Sequence, residues 1–175
     1  MIRPFIIFFL PLLTFFGFAP RRGLPTVKEV DLEKYAGTWY EIARLPNSFE
    51  RGLSSVTATY NLKNNGKIQV INRGYKDSTR KWKEIKGRAR QPDASYPGRL
   101  KVTFFWPFAG DYYIIELDQD YKYALVGAPS SDFLWILARE PKLEKDTYKI
   151  LIEKARKLGF PVDQMEMVDQ GKNLD

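Results

Sequence analysis

The segment from residue 37 to residue 139 repeats one pattern: short runs of alternating, β-branched and aromatic residues, separated at close intervals by turn residues. Such runs predict β-strands, and the short connections between them predict an antiparallel, up-and-down order. Because eight antiparallel strands can remove their exposed edges by closing into a barrel, the pattern predicts an all-β barrel, either a cup with space for one small ligand or a barrel filled by its own side chains. The predicted strands are Thr38–Leu45, Ser55–Leu62, Lys67–Tyr75, Lys81–Gln91, Arg99–Phe105, Tyr112–Asp118, Tyr121–Gly127 and Asp132–Arg139.

The sequence also predicts the structure of a turn and of the segment after the barrel. Asn64-Asn65-Gly66 favours a tight hairpin, because Asn and Gly tolerate positive φ. After Pro141 the apolar residues recur with the helical period, up to a natural stop at Gly159. The apolar face of this predicted C-terminal helix, which suits packing on the barrel wall, carries Tyr148, Leu151, Ile152, Ala155 and Leu158. Residues 165–168 predict a short closing strand.

The chain contains neither cysteine nor histidine. This removes thiol and imidazole nucleophiles, Ser-His-Asp triads, ordinary zinc sites and histidine-ligated haem. We therefore expect no catalytic residue, no metal site and no cofactor. The formal net charge is +7, but the basic residues alternate with acidic ones and form no recognised nucleic-acid motif. A solvated surface is the simpler interpretation, and we expect no nucleic-acid partner.

The N-terminus has the layout of a secretory leader. Arg3 precedes an almost wholly apolar run over residues 4–19, and the composition becomes mixed afterwards. Gly17 and Ala19 are small residues at the usual positions before a cleavage site, whereas Pro20 is a poor residue directly after it. Residues 1–19 are therefore a signal peptide or an uncleaved hydrophobic segment. As a membrane anchor the segment is short, since a spanning helix needs about 20 residues.

Several short motifs carry a more specific signal. Gly37-Thr38-Trp39 opens the first strand, residues 118–121 lie between strands six and seven, and Arg139 ends strand eight. Residues 34–43, 49–52 and 133–139 extend these motifs. In this order and spacing they resemble the lipocalin family, and more narrowly the outer-membrane type of bacterial lipocalin and its relative apolipoprotein D. The middle motif departs from the family pattern, with Asp-Gln-Asp-Tyr in place of Thr-Asp-Tyr.

The resemblance spans about residues 30–170 and implies a domain organisation and a function. The lipocalin domain would occupy residues 31–170, after a linker at residues 20–30 and before a tail at residues 171–175. The implied function is to bind, store or transport fatty acids or lysophospholipids in the cell envelope for membrane maintenance. The implied location is the periplasm or the periplasmic face of the outer membrane. Bacterial members often carry an acylated lipobox cysteine, and this sequence has none, so we expect no acylation.

Strand periodicity then selects a cavity lining. The resemblance implies that Trp39 and Arg139, beside Gly37, seal one end of the barrel, with the guanidinium over the indole. Since side chains alternate between the two faces of a strand, counting in steps of two from these residues selects the inward positions. The predicted lining is Ala43, Val56, Ala58, Tyr60, Val70, Asn72, Ile85, Ala89, Val102, Phe104, Tyr113, Ile115, Val126, Phe133 and Trp135, with Glu41, Gly87, Leu100, Ala124 and Leu137 on the same face.

Two further hypotheses concern activity and partners. A lipid- or isoprenoid-modifying enzyme built on the same barrel would need acid–base chemistry at Glu41 or Tyr113, and one lone carboxylate is a weak basis for it. The loops at the open end carry aromatics such as Trp106 and Phe108 beside cations such as Arg51, which is typical of a headgroup boundary. We expect weak peripheral membrane contact there. The alternatives are that Trp106 and Phe108 fold back as a lid or form a homodimer contact.

Overall fold

A computed structural model describes residues 23–64 and 66–172. The predicted leader at residues 1–19, the start of the linker, Asn65 of the predicted hairpin turn and the last tail residues lie outside this range. The barrel strands are β1 (Gly37–Arg44), β2 (Leu53–Leu62), β3 (Ile68–Lys76), β4 (Lys81–Arg90), β5 (Arg99–Phe105), β6 (Phe108–Leu117), β7 (Tyr123–Gly127) and β8 (Leu134–Ala138). The remaining elements are α1 (Leu32–Tyr35), α2 (Lys145–Lys157), a 3₁₀ helix (Val162–Gln164) and β9 (Glu166–Met167).

The sheet closes on itself, which confirms the predicted barrel. Each barrel strand pairs antiparallel with the next, and β1 pairs with both β2 and β8. Closure is seen where Gly37 pairs with Tyr60 and Tyr40 pairs with Ala138. The short strand β9 adds to the free edge of β1, as the closing-strand pattern predicted. Among the described residues, no helix has the length and apolarity needed to span a bilayer.

Strand bounds differ from the prediction mainly at β6. This strand begins at Phe108, four residues before the predicted start, because Phe105 and Phe108 pair across a tight hairpin. Helix α1 was not predicted. The Asp31 side chain caps it by accepting hydrogen bonds from the backbone N–H groups of Glu33 and Lys34, a short signal that a helical-period search passes over.

The apolar side chains form two separate clusters. One lies inside the barrel and includes Trp39, Tyr60 and Leu100. The other lies outside the barrel wall, where Leu151 and Ala155 of α2 pack against strands β1, β6, β7 and β8. The predicted amphipathic helix therefore covers the wall with its apolar face, and it ends at Leu158 before Gly159 adopts a positive φ of 84°.

Two β-bulges reverse the predicted side-chain facing. In β1 the register against β8 shifts between Glu41 and Ala43, so that Ala43 joins the outer cluster. In β6 it shifts between Ile114 and Glu116, so that Ile115 also packs outside the barrel. A bulge places one extra residue in a strand and inverts the alternation beyond it. The inward facing predicted for Ala43, Tyr113 and Ile115 is therefore wrong.

Candidate ligand-binding interior

The closed end of the barrel is built around Trp39. Its side chain is fully buried, and its indole N–H donates to the backbone oxygen of Tyr35 at 2.9 Å. The Arg139 guanidinium lies 3.8 Å from the centre of the indole ring, within the range of a cation–π contact. Arg139 also donates to four backbone oxygens, those of Lys34 (2.7 Å), Thr38 (3.0 Å), Tyr35 (3.1 Å) and Tyr121 (3.2 Å).

Gly37 fits this arrangement for two reasons. Its φ of +93° lies in the left-handed region that side chains avoid, and a Cβ there would lie 3.3 Å from Arg139 Nη1. A glycine before Trp39 lets the guanidinium approach the backbone of β1. The structure thus brings together the three residues assigned to closure.

A chain of tyrosine hydroxyls lies just above this plug. Tyr60 donates to the hydroxyl of Tyr112 at 2.8 Å, and the hydroxyls of Tyr112 and Tyr35 are 2.7 Å apart. Burial raises the pKa of each of the three phenols, so they stay uncharged. Tyr112 faces inward in place of the predicted Tyr113. Tyr113 lies opposite Gly127, on the face of the wall that Phe160 covers, and its ring lies 5.3 Å from the Arg99 guanidinium.

Most of the predicted lining does face inward. The interior cluster contains Ala58, Tyr60, Val70, Ala89, Val102, Phe104, Val126 and Trp135, and also Leu100, Ala124 and Leu137. Val56 shares the inward face with Gly74, because a Cβ at Gly74 would lie 3.2 Å from Val56 Cγ2. Asn72 pairs with Ala58 and with Ile85 on that face. Phe133 stacks on Trp135 with a ring separation of 5.8 Å.

Packing is uneven along the barrel axis. Towards the closed end, Trp39, Tyr60, Val70, Ala89 and Leu100 are all buried. Towards the open end, the inward side chains of Asn72, Ile85, Val102, Phe104 and Trp135 are only half-buried. An inward side chain can keep accessible surface only if the space in front of it is not filled. The inward side chains of the upper half are therefore less completely covered than those of the lower half, and we call this upper half the cup.

Gly87 helps to keep this cup open. A Cβ at Gly87 would lie 2.7 Å from the ring of Phe104 and 2.7 Å from the backbone oxygen of Thr103. Both distances are shorter than side-chain contacts allow, so a larger residue here would displace Phe104 into the interior. The wall that surrounds the cup is mostly apolar, as expected for a site that takes a hydrophobic ligand.

A buried polar cluster lies at the rim of the cup. Arg44 donates to the Glu41 carboxyl at 2.9 Å and to the backbone oxygens of Glu50 and Leu53 at 3.1 and 3.0 Å. The Trp135 indole N–H donates to the Glu50 carboxylate at 3.0 Å. Glu41, Arg44 and Glu50 are each at most 6% exposed. The guanidinium therefore pairs with one carboxyl group, that of Glu41, while the Glu50 carboxyl lies close by in the same desolvated setting.

The electrostatics of this cluster favour a proton on Glu41. Burial raises the pKa of the Glu41 carboxyl well above its usual range, and the nearby Glu50 carboxylate raises it further. Arg44 acts in the opposite direction but does not compensate. A protonated Glu41 can donate to Glu50, which places the two carboxyl groups in one hydrogen-bonded pair.

Sequence reasoning missed Arg44, Glu50 and Tyr112. Arg44 faces inward only because of the β1 bulge, and Tyr112 only because of the β6 bulge. Glu50 lies on a loop, where strand periodicity says nothing.

The described residues contain no group of three or more acidic side chains placed to hold a metal ion. Two depressions on the outer surface, one beside Lys149, Ile150 and Lys154 of α2 and one beside Lys34 and Arg139, are open and lined largely by charge.

Comparison with known proteins agrees with this geometry. Residues 30–170 match the family described as Lipocalin-like domain. The outer membrane lipoprotein Blc of Vibrio cholerae is 45% identical over 145 residues, covering 82% of this chain and 85% of that protein. Mouse apolipoprotein D is 36% identical over 161 residues, covering 86% of this chain and 82% of that protein.

The fold agrees as well. The structure of insecticyanin from the tobacco hornworm Manduca sexta superimposes with a TM-score of 0.69 at 22% identity, covering 85% of each chain. Sequence and fold thus point to one family over nearly the whole described chain. The chain belongs to the lipocalin family, whose members bind and transport small hydrophobic ligands.

Proposed function

We propose that this protein binds, stores or transports a single-chain lipid, a fatty acid or a lysophospholipid, in the cell envelope for membrane maintenance. The observation that carries the proposal is the upper half of the barrel, whose inward side chains are mostly apolar and keep accessible surface. Each methylene that leaves water contributes about 0.8 kcal/mol before losses, so a long acyl chain can reach micromolar affinity without a charged clamp.

The proposed location is the periplasm or the periplasmic face of the outer membrane. Two observations support it: the apolar run that begins the sequence, and the similarity to proteins named as outer membrane lipoproteins. We keep the expectation that the chain is not acylated on cysteine, because the sequence contains none.

Lipid binding and transport are supported better than catalysis. The enzyme hypothesis needed acid–base chemistry at Glu41 or Tyr113, and Tyr113 faces away from the interior. The Glu41 carboxyl accepts a hydrogen bond from Arg44. Neither group presents a free acid or base to the cup.

The test is a fluorescence titration with a lysophospholipid and with a fatty acid of equal chain length. Trp135 is half-buried in the wall of the cup, so an inserted acyl chain should shift its emission and saturate. Replacing Trp135 by Ala removes this reporter, so binding to the variant is measured by titration calorimetry, and the affinity should fall by about tenfold because a wall contact is lost. The matched control is Trp82→Ala, since Trp82 lies on the outer face against Arg73. A parent protein without a saturable signal for either lipid would refute the proposal.

A further inference from the structure

The tip of the β5–β6 hairpin exposes three large aromatic side chains together. Phe105, Trp106 and Phe108 are 69%, 81% and 78% exposed. Single exposed apolar residues are ordinary on a protein surface, but three adjacent ones mark an interaction surface. The alternative in which Trp106 and Phe108 fold back over the mouth as a lid does not agree with these exposures.

A fourth aromatic lies at the same end of the barrel. In an up-and-down barrel, the connections after β1, β3, β5 and β7 all lie at one end, here opposite the Trp39 plug. Phe49, on the connection after β1, is 62% exposed, although one face of its ring stacks on Phe133. We call Phe49, Phe105, Trp106 and Phe108 the aromatic rim.

Positive charge accompanies the aromatic rim. The charged side chains that reach solvent on the same connections are the basic Arg51 and Arg80 and the acidic Asp77 and Asp132, and the ends of β3 and β4 that flank one connection add the basic Lys76 and Lys81. Asp77 accepts a hydrogen bond from the Ser54 hydroxyl. The other acid of these connections, Glu50, is buried against Trp135. The exposed end of the barrel is therefore apolar at its tips and positive between them.

We propose that the aromatic rim is a docking surface for an anionic phospholipid bilayer. Aromatic rings insert at the headgroup boundary, and the surrounding cations pair with lipid phosphates. The basic side chains around the aromatic rim favour an anionic membrane over a second copy of the chain as the occupant. Two mouths placed face to face would bring like charges together, whereas an anionic membrane compensates them. Docking by this end places the open cup against the bilayer, so that a lipid can enter without crossing water.

The experiment is co-sedimentation of the full chain with vesicles of phosphatidylethanolamine containing about 30% phosphatidylglycerol, compared with vesicles of phosphatidylcholine alone. The double variant Trp106→Ser, Phe108→Ser removes half of the aromatic rim. The matched control, Ile150→Ser, removes an apolar side chain of similar exposure (68%) on α2, outside the barrel wall. The N-terminal apolar run is common to all three proteins, so differences between them report on the exposed side chains.

We expect the rim variant to lower the partition coefficient on anionic vesicles by about tenfold or more and the control to lower it little. Raising the salt concentration from about 0.05 M to about 0.5 M should weaken binding of the parent, because it screens the basic residues. Equal binding by the parent and the rim variant, or an equal loss in the control, would overturn the proposal. So would a dimer in sedimentation equilibrium that the rim variant alone dissociates, because the surface would then bind a second copy.

A second readout does not depend on the double variant. Vesicles that contain brominated acyl chains should quench Trp106, and Trp106→Phe should remove that quenching while keeping the attachment. Quenching that is unchanged in Trp106→Phe would show that another tryptophan enters the bilayer and would contradict docking through this end. Lipid carriage is tested separately by the titration with soluble ligand, so either proposal can fail without the other.

Discussion

Arg139 shows how one side chain can seal a barrel. Its guanidinium covers the indole of Trp39 and donates to backbone oxygens of the α1 and β1 regions at this end. Partial burial lowers its pKa, but an arginine stays charged at any ordinary pH. The contact is therefore insensitive to pH and depends on shape and on the planar fork of donors.

We expect Trp39→Ala to reduce the free energy of unfolding by about 3–5 kcal/mol, because a fully buried indole leaves a cavity beneath Arg139. Arg139→Ala should act in the same direction through lost charge-assisted hydrogen bonds. Denaturant titration measures both. The control is Trp106→Ala at the exposed hairpin tip, with an expected change within about 0.5 kcal/mol. A stable Trp39→Ala protein with an altered ligand preference would contradict a role in closure.

The buried acid pair predicts a pH dependence of stability. Since the pKa of Glu41 is higher in the folded chain than in the unfolded one, the folded state binds more protons above the ordinary carboxyl range. The unfolding free energy should therefore fall as pH rises from that range towards the raised pKa, by at most about 1.4 kcal/mol per pH unit. The other titratable or charged groups that interact with the Glu41–Arg44 pair are Glu50, Tyr60 and Glu166, whose carboxylate lies 4.0 Å from Arg44.

Glu41→Gln tests this assignment. The amide mimics the protonated carboxyl, since it can accept from Arg44 and donate to Glu50. Unfolding free energies measured from pH 5 to pH 9 should show a flatter slope in the variant than in the parent. Glu84→Gln, an exposed carboxyl on β4, should leave the parent slope in place. Identical slopes in all three proteins would mean that Glu41 does not hold the proton.

At the scale of elements, bulges and a docked helix decide which surface each strand presents. The β6 bulge directs Ile115 outward, where it meets the cluster beneath α2. The same bulge leaves Tyr112 and Ile114 inside. This one extra residue therefore places apolar side chains of β6 both inside the barrel and on the outer wall beneath α2.

The packing of α2 on the barrel wall predicts that substitutions at adjacent helix positions differ sharply in their effect on the free energy of unfolding. Leu151 is buried against the wall, whereas Ile150 is 68% exposed. We expect Leu151→Ala to reduce the unfolding free energy by about 2–5 kcal/mol and Ile150→Ala to change it little. Thermal or denaturant unfolding measures both. Similar losses at the two positions would indicate that α2 does not dock through the face described above.

At the scale of the whole molecule, ligand and fold are linked. A lipid that binds only the closed barrel should stabilise it by about 2.7 kcal/mol at a hundredfold excess over the dissociation constant. The rise in melting temperature should be smaller for Trp135→Ala than for the parent at equal lipid concentration. If a lipid that titrates the fluorescence fails to raise the melting temperature, it does not occupy the interior.

The sequence by itself determined the barrel, the helix that follows it and most inward positions. Alternation with period two is a local property, and the bulky residues at those positions must leave water. Gly37-Thr38-Trp39 and Arg139 indicated the closed end through their resemblance to the lipocalin family. The positive φ that explains glycine at position 37 came from the structure.

Only the tertiary structure decided where the alternation fails. A bulge depends on how two strands pair, so Ala43, Tyr113 and Ile115 could not be assigned from one strand alone. The burial of Glu50 depends on a loop that reaches Trp135, 85 positions along the chain. The accessible surface left on the inward side chains of the upper half depends on the sum of many side-chain volumes around a closed wall, which is a property of no single segment.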